Sequence, residues 1–378
     1  MENGVAISKV KGSPPQSEGD LRIISKTPFM CKVYEAFVTE WILEFISPYL
    51  DPSQCGIKGL SITHYLIRFL HFIHSSLDTY KPHAVIAAFI DMAKAFNRVD
   101  HNLLIEDLFH MKCPPFLLRL CISFLSHRKL TLAYKGVNSK IQELHAGAPQ
   151  GTLLGVIFFI VKFNGALLRP KVDRPLSLSS KEIKLKYMDD LSTAVSVNLT
   201  SDLITDSSER QRPLRFCESF KKILPSENNL LQGHIIEMEN FAEVNRMKIN
   251  RDKSNIMKFS RAVKTDFPLE VYFSNNEILE EISEIKLLGV FIENSLKWTK
   301  NTDYICQKAR QRIWLLRNMK KSGLTLAELI DAYIKEVRSL LEMAVPVWHS
   351  GLTKEESHQI ERVQKAALIA IIGQKDLS

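Results

Sequence analysis

The sequence predicts an α+β protein whose C-terminal part is entirely helical. Three observations lead there: a near-continuous apolar run at residues 84–90 that stops at Asp91, a hairpin pattern around Asp189 and Asp190, and apolar stripes at helical spacing after Trp298. At 378 residues with 45% hydrophobic content, the chain can bury a sizeable core, divided into two or three subdomains. A net charge of +8 favours a polyanionic partner or an anionic membrane surface over an acidic protein target. The six cysteines are scattered, with no C-x-x-C pair and no zinc spacing, as in reduced intracellular proteins. No leader segment is visible and the longest apolar run, residues 155–161, is too short to span a bilayer. The expectation is a soluble intracellular protein without a membrane partner, in cytoplasm or nucleus.

Taken in order, residues 1–20 are polar and expected to be disordered. Residues 22–25 read as a short strand or turn, followed by a helix over 34–50 with Phe37, Trp41, Leu43, Ile46 and Leu50 as its apolar residues. A second helix over 61–77 would bury Leu66, Phe69, Leu70 and Ile73. The run 84–90 has the texture of a strand buried on both faces, with an acid delivered at its end. Helices over 102–111 and 116–125 are separated by Cys113-Pro-Pro115, and strands 130–134 and 141–144 flank a Lys135-Gly136 turn. The loop 146–152 opens an apolar helix over 153–163; 165–183 is a polar connector. The next hairpin carries Asp189 and Asp190 at its turn, where mutual repulsion calls for water or a metal cation. A polar stretch, 198–228, leads to a helix over 231–246 and then two short strands, 247–250 and 256–259, around Arg251-Asp-Lys-Ser254. Residues 287–292 read as one strand with Gly289 inside it, a sign of close backbone approach. Three helices follow, striped by Ile305, Ala309, Ile313 and Leu316; by Leu329, Tyr333, Val337 and Leu340; and by Ile360, Val363, Ala367 and Ala370.

Read together, Phe89-Ile-Asp-Met-Ala-Lys-Ala-Phe-Asn-Arg-Val-Asp-His101, Gly147-Ala-Pro-Gln-Gly-Thr-Leu-Leu-Gly155 and Tyr187-Met-Asp-Asp190 resemble, in this order, the reverse transcriptase of non-LTR (LINE-type) retrotransposons. Leu21-Arg-Ile-Ile-Ser-Lys-Thr-Pro28 and Gln54-Cys-Gly-Ile-Lys-Gly59 are similar to finger segments of that family. Ile249-Asn-Arg-Asp-Lys-Ser254 and Leu288-Gly-Val290 are similar to its later palm motifs, and the likeness extends over about residues 20–373. It implies a right-hand polymerase: fingers over 21–84, palm over 85–292 with polar insertions near 165–183 and 198–228, and a helical thumb over 293–378.

The resemblance also implies roles. Asp91 and Asp189, with Asp190 as a third acid whose main role would be to tune the field, would hold two Mg²⁺ ions, with Mn²⁺ as a substitute. Phe96 would sit under the sugar and exclude a 2′-hydroxyl, favouring dNTPs; an RNA-copying RNA polymerase of this type carries an Asp there. Gln150 and Gly151 would face the nascent base pair, Lys253 would protonate the leaving pyrophosphate, and Arg22 and Lys58 would contact phosphates. The cations Lys308, Arg310, Arg312, Arg317, Lys320 and Lys321 would grip the backbone of an RNA template and DNA primer duplex.

Some positions depart from the family pattern: Asn97 replaces an acid, Ile57-Lys58 replaces Phe-Arg, and Gly165 replaces the Asp of an Asn-Asp pair. No endonuclease precedes the fingers, so strand cleavage is expected in trans or from a longer parent chain. Two functions stay open at this point: an RNA-directed DNA polymerase, and an inactive or co-opted remnant that binds nucleic acid without catalysis.

Overall fold

The computed structural model describes residues 4–10, 21–79, 83–134, 137–167, 181–198, 230–260 and 270–373. The expected turn at Lys135-Gly136 and most of the two polar insertions lie outside the described residues.

The chain begins with β1 (Gly4–Val10) and β2 (Leu21–Lys26), an antiparallel pair. Within the stretch 1–20 that was expected to be disordered, residues 4–10 form a strand and the others lie outside the described residues; alternation in Val5, Ile7 and the facing Ile24 is too short to stand out from sequence alone. Next come α1 (Phe29–Ile46), α2 (Ile62–Leu77), β3 (His83–Met92), α3 (His101–His110) and α4 (Pro115–Leu125). The strands β4 (Arg128–Tyr134), β5 (Val137–Asn138) and β6 (Gln142–Leu144) join β1 and β2, with β1 parallel to β4. Then α5 (Leu153–Phe163), β7 (Glu182–Tyr187), β8 (Asp190–Asn198), α6 (Leu230–Val244) and β9 (Ile249–Ser260) follow. The last strands are β10 (Glu280–Glu281), β11 (Glu284–Leu287) and β12 (Val290–Glu293). The helical end comprises α7 (Thr299–Lys321), α8 (Leu326–Tyr333), α9 (Ser339–Leu341), α10 (Val345–Trp348) and α11 (Lys354–Ile372).

The central sheet has the order β10-β9-β3-β8-β7, with β3 in the middle. That position explains its unbroken apolar sequence. Ala84, Ile86, Ala88 and Ile90 enter one core with α1, α3, α4, α5 and α6, while Val85, Ala87 and Phe89 enter a second with α2 and the C-terminal helices.

Four further elements differ from expectation. On α1, Val38, Ile42 and Ile46 are buried, whereas Phe37 and Trp41 are 57% and 46% exposed. This helix is apolar nearly all round, so two stripes one residue apart compete. Buried Glu35 decides between them, because its carboxylate must reach the N-terminus of α5. Second, β9 runs unbroken from 249 to 260 where two strands were expected, though its register against β3 does slip there. Third, residues 287–292 form a hairpin that turns at Leu288-Gly289, not one strand; Gly289 has φ +91°, and a Cβ there would lie 2.4 Å from Met343 Cε. Fourth, Leu341 is buried in place of Leu340. A π-helical stretch, Ile334–Arg338, winds more slowly than an α-helix, so the inward face after Val337 falls four residues on.

Candidate active site

Asp91 is delivered by the end of β3. Its Oδ2 accepts from Asn250 Nδ2 at 2.9 Å, and its backbone N–H donates to Ser254 Oγ at 3.2 Å. On the other side β3 pairs with β8, Ile90 opposite Leu191, and one further step in that register sets Asp91 across from Asp190. Such cross-strand neighbours share a face of the sheet.

The hairpin between β7 and β8 turns through two residues, Met188 and Asp189, between the paired Tyr187 and Asp190. Sequence reading placed both acids at the turn; the structure puts Asp189 in it and makes Asp190 the first residue of β8. Met188 takes φ +55°, the left-handed conformation that tight hairpin turns demand and that side chains such as Met rarely adopt. The surroundings hold it there. Buried Gln54 accepts through Oε1 from the Met188 N–H at 3.4 Å, Tyr187 meets Tyr65 edge-on at 6.5 Å, and the Tyr65 hydroxyl bonds Ser192 Oγ.

Crowding by surrounding protein, then repulsion from Asp189 and Asp91, pushes the Asp190 carboxyl up to about 6. The residue is nevertheless exposed to solvent, which blunts the effect of burial and leaves the repulsion from the two neighbouring acids, the part that a cation between them would relieve.

Phe96 lies in a short 3₁₀ turn, Ala95–Arg98, that follows left-handed Lys94. Its ring stacks on Phe159 of α5, centroids 4.4 Å apart and 16° from parallel. The loop before α5 is laid against this turn: Ala148 N–H donates to the Phe96 carbonyl and Gly147 N–H to the Val99 carbonyl, both at 2.8 Å, and His101 Nε2 lies 3.0 Å from the Gly147 carbonyl. On its far side the Gln150 carbonyl accepts from the Ser25 N–H of β2 at 2.8 Å. Gly151 has φ +100°, and a Cβ there would come within 2.9 Å of Ile24 Cγ2. The glycine is required by the approach of β2 as well as by its own backbone. Asp91, Phe96, Gln150, Asp189 and Lys253 line one cleft of about 1580 Å³.

Residues 9–292 match the family model described as reverse transcriptase (RNA-dependent DNA polymerase). The chain belongs to the reverse transcriptase family. Its curated relatives are polymerases of non-LTR retrotransposons. The probable RNA-directed DNA polymerase from transposon BS of Drosophila melanogaster is 24% identical over 95% of this chain and 37% of that relative's length. The RNA-directed DNA polymerase from mobile element jockey of Drosophila funebris is 25% identical over 83% of this chain and 31% of its own length. The chain thus spans about a third of the length of these relatives. A solved structure of apo telomerase from Candida tropicalis matches with a TM-score of 0.51 at 12% identity, over 98% of this chain and 63% of that one, a likeness of fold: the right-hand polymerase.

Not every expected residue of this reverse transcriptase family member reaches the cleft. Lys58 is exposed, paired with Glu40 at 3.1 Å, and is not part of the cleft lining. Arg22 lies in β2 opposite Lys9, and its side chain is outside the described residues. The cations of α7 do not form one face. At 3.6 residues per turn, Lys308 and Arg312 fall on one flank of the buried stripe, and Arg310, Arg317 and Lys321 on the other. Arg312 pairs with Glu336 at 2.9 Å, and Lys320 donates to the Ile371 carbonyl at 2.6 Å, which closes the end of α11. Sequence reasoning also missed residues that do line the cleft, among them Lys94, Arg98, Lys248 and Asn250. Lys94 and Arg98 flank Phe96 in the same turn, a proximity visible in the sequence; Asn250 had no signal apart from its motif. Among the described residues, no helix is long and apolar enough to cross a membrane.

Proposed function

We propose that the chain carries out RNA-directed DNA synthesis in this cleft, adding deoxynucleotides to a primer 3′-hydroxyl on an RNA template. The observation that carries the reading is that Asp91 and Asp189 line one cleft with Phe96 and Gln150, while Asp190 follows Asp189 at the start of the strand next to β3. Among the described residues no three His, Cys, Asp or Glu side chains make a ready-made metal cage. Mg²⁺ commonly takes one or two carboxylates and completes its octahedron with water and substrate phosphates, so this open donor set suits it. Asp91 and Asp189 would hold the two ions, with Asp190 setting the local field; Mn²⁺ would substitute. When bound, the ions stabilise the attacking and leaving oxygens.

The chain's own residues divide the remaining work. Phe96, backed by Phe159, fills the space beside the sugar, which favours dNTPs over NTPs. Gln150 and Gly151 bring backbone against the nascent base pair, and Lys253 delivers a proton to the leaving pyrophosphate. The divided cations of α7 contact template–primer phosphates, which makes affinity fall with salt.

Primer extension on poly(rA)/oligo(dT) with Mg²⁺ tests the reading. Wild type should extend and Asp189→Asn should not. Equal extension by both removes the site; no extension by either, with salt-sensitive RNA binding kept, leaves a nucleic-acid-binding remnant.

A further inference from the structure

The segment of β9 opposite Asp91 is built in an unusual way. Phe89 of β3 pairs with Asn255 and Asp91 with Asn250, so the four residues 251–254 stand opposite the single Ile90. This is a large bulge, and bulges re-aim side chains next to functional sites. Its two ends are tied together, because Ser254 Oγ donates to the Asn250 carbonyl at 2.8 Å. The same two residues hold Asp91: Asn250 Nδ2 on carboxylate Oδ2, and Ser254 Oγ on the backbone N–H. Ser254 is buried, while Asp252 and Lys253, carried on the bulge, are exposed and line the cleft.

We propose that Asn250 is a positioning residue for Asp91, fixing one carboxylate oxygen so that the other is presented to a divalent cation. The inference rests on the polymerase reading of this cleft. A carboxylate on a free Asp side chain samples a broad range about its terminal torsion. One N–H···O bond to Oδ2 selects an orientation and leaves Oδ1 with both lone pairs available. The donor must be neutral. A lysine here would neutralise the carboxylate and compete with the cation, and an aspartate would repel it. Asparagine meets that requirement, and Ser254 supplies the rigidity by closing the bulge on which Asn250 sits. The unit Asn250-Arg-Asp-Lys-Ser254 thereby couples the placement of Asp91 to that of Lys253, which also lines the cleft.

The test uses Asn250→Ala and the near-isosteric Asn250→Leu, each checked for folding by circular dichroism and melting temperature. Mn²⁺ binding to the protein without substrate is measured by electron paramagnetic resonance, and extension is measured against Mg²⁺ and dTTP concentration. Removing a hydrogen bond to a metal ligand typically costs about 10–100-fold in metal affinity or activity. The expected result is Mn²⁺ affinity weakened by about ten-fold or more, a matching rise in the Mg²⁺ needed for half-maximal rate, and a dTTP KM that stays close to wild type. Unchanged Mn²⁺ affinity and Mg²⁺ dependence in a folded variant overturns the proposal. So does failure of both variants to fold, which makes Asn250 a structural residue only. If wild type extends no primer, the polymerase reading fails by itself, and the Mn²⁺ titration still decides the role of Asn250.

Discussion

The fully buried ion pair between Lys186 and Asp51 should govern how firmly the Asp189 hairpin is held. The two side chains are 0% and 2% exposed with Nζ and Oδ2 2.8 Å apart. Asp51 also accepts from the Ser53 N–H at 2.8 Å, and the Lys186 ammonium also donates to the Asn164 carbonyl at 2.7 Å. The pair staples residues 51–55 to β7, where Cys55 N–H donates to the Lys186 carbonyl at 2.7 Å and Lys186 N–H to the Ser53 carbonyl at 3.0 Å. Gln54, carried on the same segment, then reaches the Met188 N–H of the turn. At 2.8 Å and an effective dielectric constant of about 20, the Coulomb attraction is about 6 kcal/mol. Most of that offsets desolvation, but removing one partner strands a buried charge at a cost of about 3–5 kcal/mol. Lys186→Met should therefore destabilise the chain by about that amount. Lys186→Met combined with Asp51→Leu should recover most of the loss, because an apolar pair carries no unpaired charge. Urea unfolding gives the global figure, and hydrogen exchange at the Cys55 and Lys186 amides reports the local opening. A single variant that loses under about 1 kcal/mol, or a double variant no better than the single, would refute the reasoning.

Three further outcomes follow from the geometry. Burial raises the Glu35 carboxyl above its ordinary value while the Leu154 and Leu153 N–H groups pull it down, so the folded state holds that proton more tightly. Its contribution to stability is greatest below about pH 4.5 and declines as pH rises through the folded value. Glu35→Gln should flatten this slope in melting curves, whereas Glu35→Ala, which leaves the first N–H groups of α5 unmet, should cost about 1–3 kcal/mol. The metal-free protein should likewise lose stability from about pH 4 to about pH 6 through Asp190, whose folded value is the raised one. Mg²⁺ should abolish that loss in thermal melts by displacing the proton. Phe96→Ala, which removes the ring stacked on Phe159, should raise incorporation of rUTP relative to dTTP on poly(rA)/oligo(dT) by at least about ten-fold, about 1.4 kcal/mol of discrimination; an unchanged ratio removes the steric role.

The parts of the fold legible in the sequence are those where one local pattern had one solution. The strand ending at Asp91 is apolar on both faces because both faces are covered. The stripe Ile305, Ala309, Ile313 and Leu316 is buried as its spacing implies, since most of the exposed positions of α7 are polar. Where two solutions competed locally, a distant residue chose. The inward face of α1 was settled by Glu35 reaching Leu153, 118 positions away, a contact that leaves no periodic trace.

The acids divide along the same line. Asp91, Asp189 and Asp190 were recognisable because their motifs, in this order, resemble those of the reverse transcriptase family; the adjacent carboxylates alone gave only a weak signal. Their support was not recognisable. Lys186 and Asp51 are an ordinary lysine and an ordinary turn aspartate until β7 and the 51–55 segment meet, and Asn250 is an ordinary strand-end asparagine until the bulge brings it to Asp91. The turn residues Arg251-Asp-Lys-Ser254 were nonetheless right about one thing. They marked a break in regular pairing, and β9 resolves it by losing register while keeping its direction, with Ser254 drawing the ends of the bulge together. A break of that kind at a strand edge would only weaken the sheet; beside Asp91 it supplies the amide and the hydroxyl that hold the carboxylate still.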